Sequence, residues 1–218
     1  MSPEEFLFNN ATDVSITSQN STSMTRSRSG RVKSSINLTN PYVITFNVHG
    51  GFDYTSMNAN LGIMAVTQLG YSTNFRIGNT SGSAYLTSYH GDLSSAEIAN
   101  ITINSQLGNK IWIDTTSTTG SGNIFKKGDY IQPKGNANTY QYPYTVTSDV
   151  AWTSGNVEVP LHRGVIESHT DIIEGNGIVV GNDVFFTVLH KDLLSFTITP
   201  GPNLQFDKGF TFVEHILL

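Results

Sequence analysis

Turn-forming residues interrupt this sequence so often that most segments between them have room for a short strand and little else. Gly50 and Gly51, the run 78–82 from Gly78 to Gly82, the Thr/Ser/Gly tract 115–123 and Gly155 all break the chain. The segments they bound alternate apolar and polar residues. In 41–49, Tyr42, Ile44, Phe46 and Val48 fall on one face of a half-buried strand. The stretch 124–163 reads as three further strands with turns between them, including a turn at Gly128 and Asp129 that leads Tyr130 and Ile131 into a strand. Short strands are also expected at 74–77, 83–89, 97–103, 110–114, 164–169, 177–180, 184–190, 195–199 and 210–216. Only 55–69 carries helical spacing, with Met57, Leu61, Met64, Ala65 and Leu69 on one face, Ser56 as N-cap and Gly70 as the stop. The methionines there fill a core.

About a dozen strands and one helix in 218 residues predict a mainly β chain, a sandwich or barrel with a minor helical component. Residues 1–25 are polar and are expected to form a partly extended arm rather than a stable element. Ser, Thr, Asn and Gly stand where charged residues usually do: only 13% of the chain is Asp, Glu, Lys or Arg. The net charge of −5 argues against a dedicated nucleic-acid surface. With no cysteine, disulfides, thiolate metal sites and cysteine nucleophiles are excluded. No apolar run reaches the length of a membrane span, and the acidic 1–9 segment lacks a signal-peptide pattern.

Four cations, Arg26, Arg28, Arg31 and Lys33, lie within eight residues. Such a run serves either an acidic partner or the guarded edge of a solvated strand-turn-strand; on the residues alone the second is favoured. No hydrolase elbow, zinc-protease helix or phosphate loop is present. Gly175, Gly177 and Gly181 miss the dinucleotide spacing by one residue and read as a turn. His169 and Asp171, two apart, could share an iron with His190 or His215, but no arginine follows Arg163 to anchor a keto-acid. The acid pairs Glu158 with Glu167 and Asp149 with Asp171 carry no specific signal. Trp112, Tyr130, Tyr140, Tyr142, Tyr144 and Trp152 could stack on sugars, although strand packing is the favoured role. No catalytic, cofactor or metal residue is therefore assigned, and no enzyme is expected.

Four segments in order resemble small tail proteins of tailed bacteriophages, the distal-tail or baseplate-hub type. They are Thr25 to Lys33 followed by the strand 41–49; the helix 55–69 closing on Gly70 to Phe75; Phe125 to Gln132, Tyr144 to Val150 and Val157 to Arg163; and the closing strand from Phe210 to Glu214. His162 departs from the family's Pro-Leu-Arg end. The resemblance implies a tail-tube-like β domain with one flanking helix, formed by 26–92 and about 185–218, with a second β-barrel-like module inserted at 93–184. It further implies a virion protein made in the host cytoplasm, with copies of itself in a ring and other tail or baseplate proteins as partners. Arg26, Arg28, Arg31 and Lys33 would then face a neighbouring subunit. Genomic DNA would pass nearby without specific binding, and no cofactor is implied. A receptor-binding or lectin-like module of the tail tip is the alternative.

Overall fold

A computed structural model describes residues 3–18, 22–26, 32–36, 40–48, 50–58, 61, 72–79, 84–135, 141–167, 176–191, 195–201 and 203–216. The chain is mainly β and is built from several antiparallel sheets. The largest has five strands in the order Ala11–Ser18, Tyr42–Val48, Phe210–Glu214, Phe186–His190 and Thr73–Phe75, every neighbour antiparallel. Tyr42, Ile44, Phe46 and Val48 are all buried, as the alternation predicts. Phe210 and Phe212 on the adjacent strand meet them: the Phe46 ring stacks on Phe210 at 5.2 Å and stands edge-on to Phe212 at 5.3 Å. Aromatic pairs of this geometry contribute about 0.5–1.5 kcal/mol each beyond simple burial.

The N-terminal residues correct the expectation of a loose arm over 1–25. Pro3–Asn9 is a helix, and Ala11–Ser18 pairs with the whole length of Tyr42–Val48. Leu7 and Phe8 are buried, and Phe8 touches the rings of Phe46 and Phe75 at 5.4 and 5.1 Å. Three consecutive apolar residues, Phe6 to Phe8, are enough to seat one helical turn on a sheet, and the polar strand that follows is the sheet's solvated edge. Residues 54–58 and 61 are helical, with Met57 and Leu61 buried; 59–60 and 62–70 lie outside the described residues. The cap is Asp53 rather than Ser56. The Asp53 carboxylate accepts from Thr55 N–H and the Ser56 hydroxyl, both at 3.1 Å, which holds its pKa below the usual carboxylate range.

Two apolar clusters form. One draws on residues from Leu7 to Ile77 and from Val184 to Phe212. The other draws on residues from Leu93 to Ile178 and fills the space between three small sheets. These are Asn156–Pro160 with Lys110–Asp114 and Thr102–Leu107; Tyr144–Thr145 with Tyr130–Pro133 and Ile178–Val180; and Val150–Ala151 with Asn123–Phe125. A further sheet joins Phe196–Thr199, Asn203–Phe206 and Phe52–Asp53.

The segment expected as a strand at 97–103 instead contains the helix Ser95–Ala99, followed by the strand Thr102–Leu107. Its start is a reciprocal capping box: Glu97 N–H donates to the Ser94 hydroxyl, and Ser94 N–H donates to the Glu97 carboxylate at 2.7 Å. A single turn Ala84–Leu86 replaces the strand expected at 83–89, and 164–167 is not a strand.

Candidate functional site

The two apolar clusters meet at a polar joint built around Arg163. Its guanidinium is buried between the rings of Tyr42 and Tyr144, 5.1 Å from each centroid. Nη1 and Nη2 donate to Glu214 Oε2 and Oε1 at 2.6 and 2.7 Å, a two-pronged ion pair in which neither side chain reaches solvent. The same nitrogens donate to the carbonyls of Asn40 at 3.0 Å and Pro143 at 2.8 Å. Glu214 accepts a further bond from Tyr42 N–H at 2.9 Å. Burial alone would lower the Arg163 pKa, but the bonds and charge of Glu214, with smaller contributions from Tyr144 and Tyr42, leave it raised. The ion pair links the end of the last strand of the large sheet to the segment just after Asn156–Pro160, 51 residues away in sequence.

Three further contacts tie segments of the two clusters together. Gln132, fully buried, accepts from Phe185 N–H at 3.2 Å and donates to Phe185 C=O at 2.9 Å, so a side chain completes what a strand neighbour would supply. Tyr42 Oη lies 2.6 Å from the Thr145 hydroxyl. His162 accepts Thr145 N–H on Nδ1 at 3.0 Å and packs its ring 5.0 Å from Tyr42. An accepting Nδ1 fixes the neutral tautomer with the hydrogen on Nε2. Burial, then the Arg163 charge, push its pKa down to about 3.

Beside the joint, Glu167 is also buried. It accepts from Tyr142 N–H at 2.8 Å and from the Tyr144 hydroxyl, which itself accepts Ile166 N–H at 2.8 Å. Burial raises the Glu167 pKa, and burial followed by the Glu167 charge raises that of Tyr144. A carboxyl whose pKa is higher folded than unfolded contributes most below its unfolded value, and that contribution is lost as pH rises through the folded one. Glu167→Gln is therefore expected to flatten this loss between weak acid and neutrality. Urea midpoints at pH 4.5 and 7.5 check it: the variant should gain on the parent chain at the higher pH.

Elsewhere in 124–163, Gly128 and Asp129 have structural roles. Gly128, at φ +99°, completes the turn that precedes strand Tyr130–Pro133. Asp129 caps this turn by accepting Lys126 N–H at 2.9 Å, and also accepts His90 N–H and Nδ1, each at 2.9 Å. Of the aromatics considered for sugar stacking, Tyr142 and Tyr144 are interior, Trp152 packs on the second cluster, and Tyr130 meets Tyr42 and Phe186. Trp112 is half-buried on the strand Lys110–Asp114, and Tyr140 lies outside the described residues.

The acids also separate by role. Glu158 pairs with Lys110 at 2.7 Å at the surface, Asp149 accepts Lys127 N–H at 2.8 Å, and Glu167 is internal. His169 and Asp171 lie outside the described residues, and among the described residues no group of three or more potential ligands gathers for a metal. Among the cations of 26–33, Arg26 and Lys33 sit on the strands Thr22–Arg26 and Val32–Ile36, while Arg28 and Arg31 lie outside the described residues. Among the described residues these strands pair only with each other, with Thr25 opposite Lys33. Among the described residues no helix is long and apolar enough to cross a membrane. A scan of protein-family models and a search of curated proteins return no match to the chain.

Proposed function

We propose that this chain is a structural component of a phage virion tail, assembling in a ring at the distal tail tube or baseplate hub and connecting tube to tip. The tail-protein resemblance supplies the identity of the particle. The observation that carries the self-association is the hairpin of Thr22–Arg26 and Val32–Ile36, a two-stranded sheet joined to no other described strand. A lone hairpin is at best marginally stable in water and gains from a surface to lie on. This one bears Arg26 and Lys33 on a chain of net charge −5, so an acidic face on a neighbouring copy would attract it. In this proposal 26–92 with about 185–218 is the tail-tube-like domain, and most of the cluster of residues 7–77 and 184–212 belongs to it. The inserted module is 93–184, held to it by the buried joint. A rigid joint suits a part that transmits load between tube and tip.

The test is assembly. Arg26→Glu with Lys33→Glu is expected to shift self-association to about tenfold higher protein concentration, on the order of 1.4 kcal/mol per contact. Sedimentation and negative-stain imaging of the purified chain read this directly, and added salt should reproduce part of it. Assembly unchanged by the double reversal would remove the hairpin from the interface.

A further inference from the structure

Ser88, His90 and Asp129 stand in a relay that the structural role of the chain does not use. Asp129 is fully buried, and its carboxylate, an acceptor only, holds His90 Nδ1 at 2.9 Å. Nδ1 must therefore carry the imidazole hydrogen, which leaves Nε2 as a lone-pair acceptor. That Nε2 lies 3.2 Å from Ser88 Oγ. The serine hydroxyl also lies 3.1 Å from Tyr85 C=O, so its hydrogen has two acceptors within reach. The backbone makes the arrangement stiff: Asp129 takes His90 N–H as well as the ring, and the Tyr89 hydroxyl between Ser88 and His90 donates to Ile124 C=O. Gly91 keeps this crossing close, because a Cβ there would come within 2.3 Å of Ile124 O.

Ser88 opens onto a cleft of about 650 Å³ walled by Ile98, Ile178, Val180, Phe185, Arg76 and Lys134. Clefts of this size suit small ligands. Among the described residues neither Arg76 nor Lys134 has an ion-pair partner, whereas Lys110 and Lys126 do. Asp183 also lines the cleft, so its wall carries two cations against one acid, and the positive excess favours an acyl group that carries its own negative charge.

We propose that Ser88, His90 and Asp129 form a site that hydrolyses esters of short anionic acyl groups. Ser88 Oγ attacks the ester carbonyl carbon as its proton passes to His90 Nε2. The tetrahedral adduct collapses by breaking the bond to the alcohol oxygen, which leaves with the proton from Nε2. Water then repeats the sequence on the acyl-serine: His90 takes its proton, the carboxylic acid departs and Ser88 regains its hydrogen. Asp129 is a positioning residue that holds the ring tautomer and orientation.

The test uses the full chain with mono-p-nitrophenyl succinate, p-nitrophenyl acetate and a fluorophosphonate probe. Expected results are succinate-ester hydrolysis above background, with labelling mapped to Ser88 by peptide mass spectrometry. Ser88→Ala and His90→Gln should each lose at least a hundredfold in rate while retaining the parent's circular dichroism. Asp129→Asn should lower kcat with KM unchanged. Arg76→Gln should raise KM for the succinate ester and leave that for acetate alone. Hydrolysis by the parent chain no faster than by Ser88→Ala, or a label on another residue, overturns the site; equal KM for the two esters overturns the anionic preference. Neither outcome depends on ring assembly.

Discussion

Arg163→Met should lower the melting temperature by about 10 °C, the largest single effect expected from a charge in this chain. The substitution leaves Glu214 as an uncompensated carboxylate with no solvent access, its remaining bond being the one from Tyr42 N–H. Breaking a buried ion pair from one side costs about 3–5 kcal/mol. For a domain of this size each kcal/mol moves the melting temperature by about 2–4 °C. Glu214→Leu should cost a comparable amount by stranding the guanidinium between Tyr42 and Tyr144. The informative variant is the double one. Arg163→Met with Glu214→Leu removes both charges and refills the volume, so it should recover more than half of either single loss. Thermal melts of the four proteins close the cycle. Additive losses would mean that the two residues are not coupled and that the joint is held by packing alone.

The strands of this fold were legible where burial is one-sided. In Tyr42–Val48 and Phe210–Glu214 the inward residues alternate with Thr45, Asn47 and Thr211, broken only by the facing pair Val43 and Val213, and period two is what a half-buried strand imposes on sequence. Legibility failed where the signal was local and short. Ser94 and Glu97 announce a helix start by their spacing, yet the apolar residues from Ile98 to Ile103 read as a strand because one helical turn carries too little periodicity to compete. Phe6 to Phe8 failed for the opposite reason: a polar neighbourhood concealed an apolar anchor.

The joint was half visible. Continuing the alternation of Phe210 and Phe212 places Glu214 on the inward face, and an acid there needs a cation. Which cation could not be read, because Arg163 is a short-range feature of its own segment and the pairing spans 51 residues. The relay through Ser88, His90 and Asp129 was invisible for the same reason, since His90 and Asp129 are 39 residues apart and meet only through folding. Gly128 and Asp129, by contrast, mark a turn in the sequence itself, and that turn is what delivers the carboxylate to His90.

Acid should destabilise this chain through His162 well before its exposed carboxylates are titrated. The folded imidazole is held neutral, with a pKa of about 3 against the ordinary 6.5. The depressed value means that the unfolded chain binds the proton first. The His162 contribution is therefore complete above pH 6.5, declines as pH falls below it, and is gone near pH 3, where the folded ring also protonates. Across that interval the loss is on the order of 5 kcal/mol. The physical cause is specific: a proton on Nδ1 would confront Thr145 N–H, which now donates to that atom, beside the Arg163 charge. His162→Gln can keep an acceptor near Thr145 N–H and cannot titrate. It should cost stability at pH 7.5, about 1–2 kcal/mol for lost packing on Tyr42, yet equal or exceed the parent chain at pH 4.5. Because Glu167 acts with the opposite slope, the comparison is cleanest in a Glu167→Gln background, where the remaining acid sensitivity between pH 6.5 and 4.5 should follow His162. A parent chain whose stability is flat across that interval in this background would show that the imidazole is not held neutral by the joint.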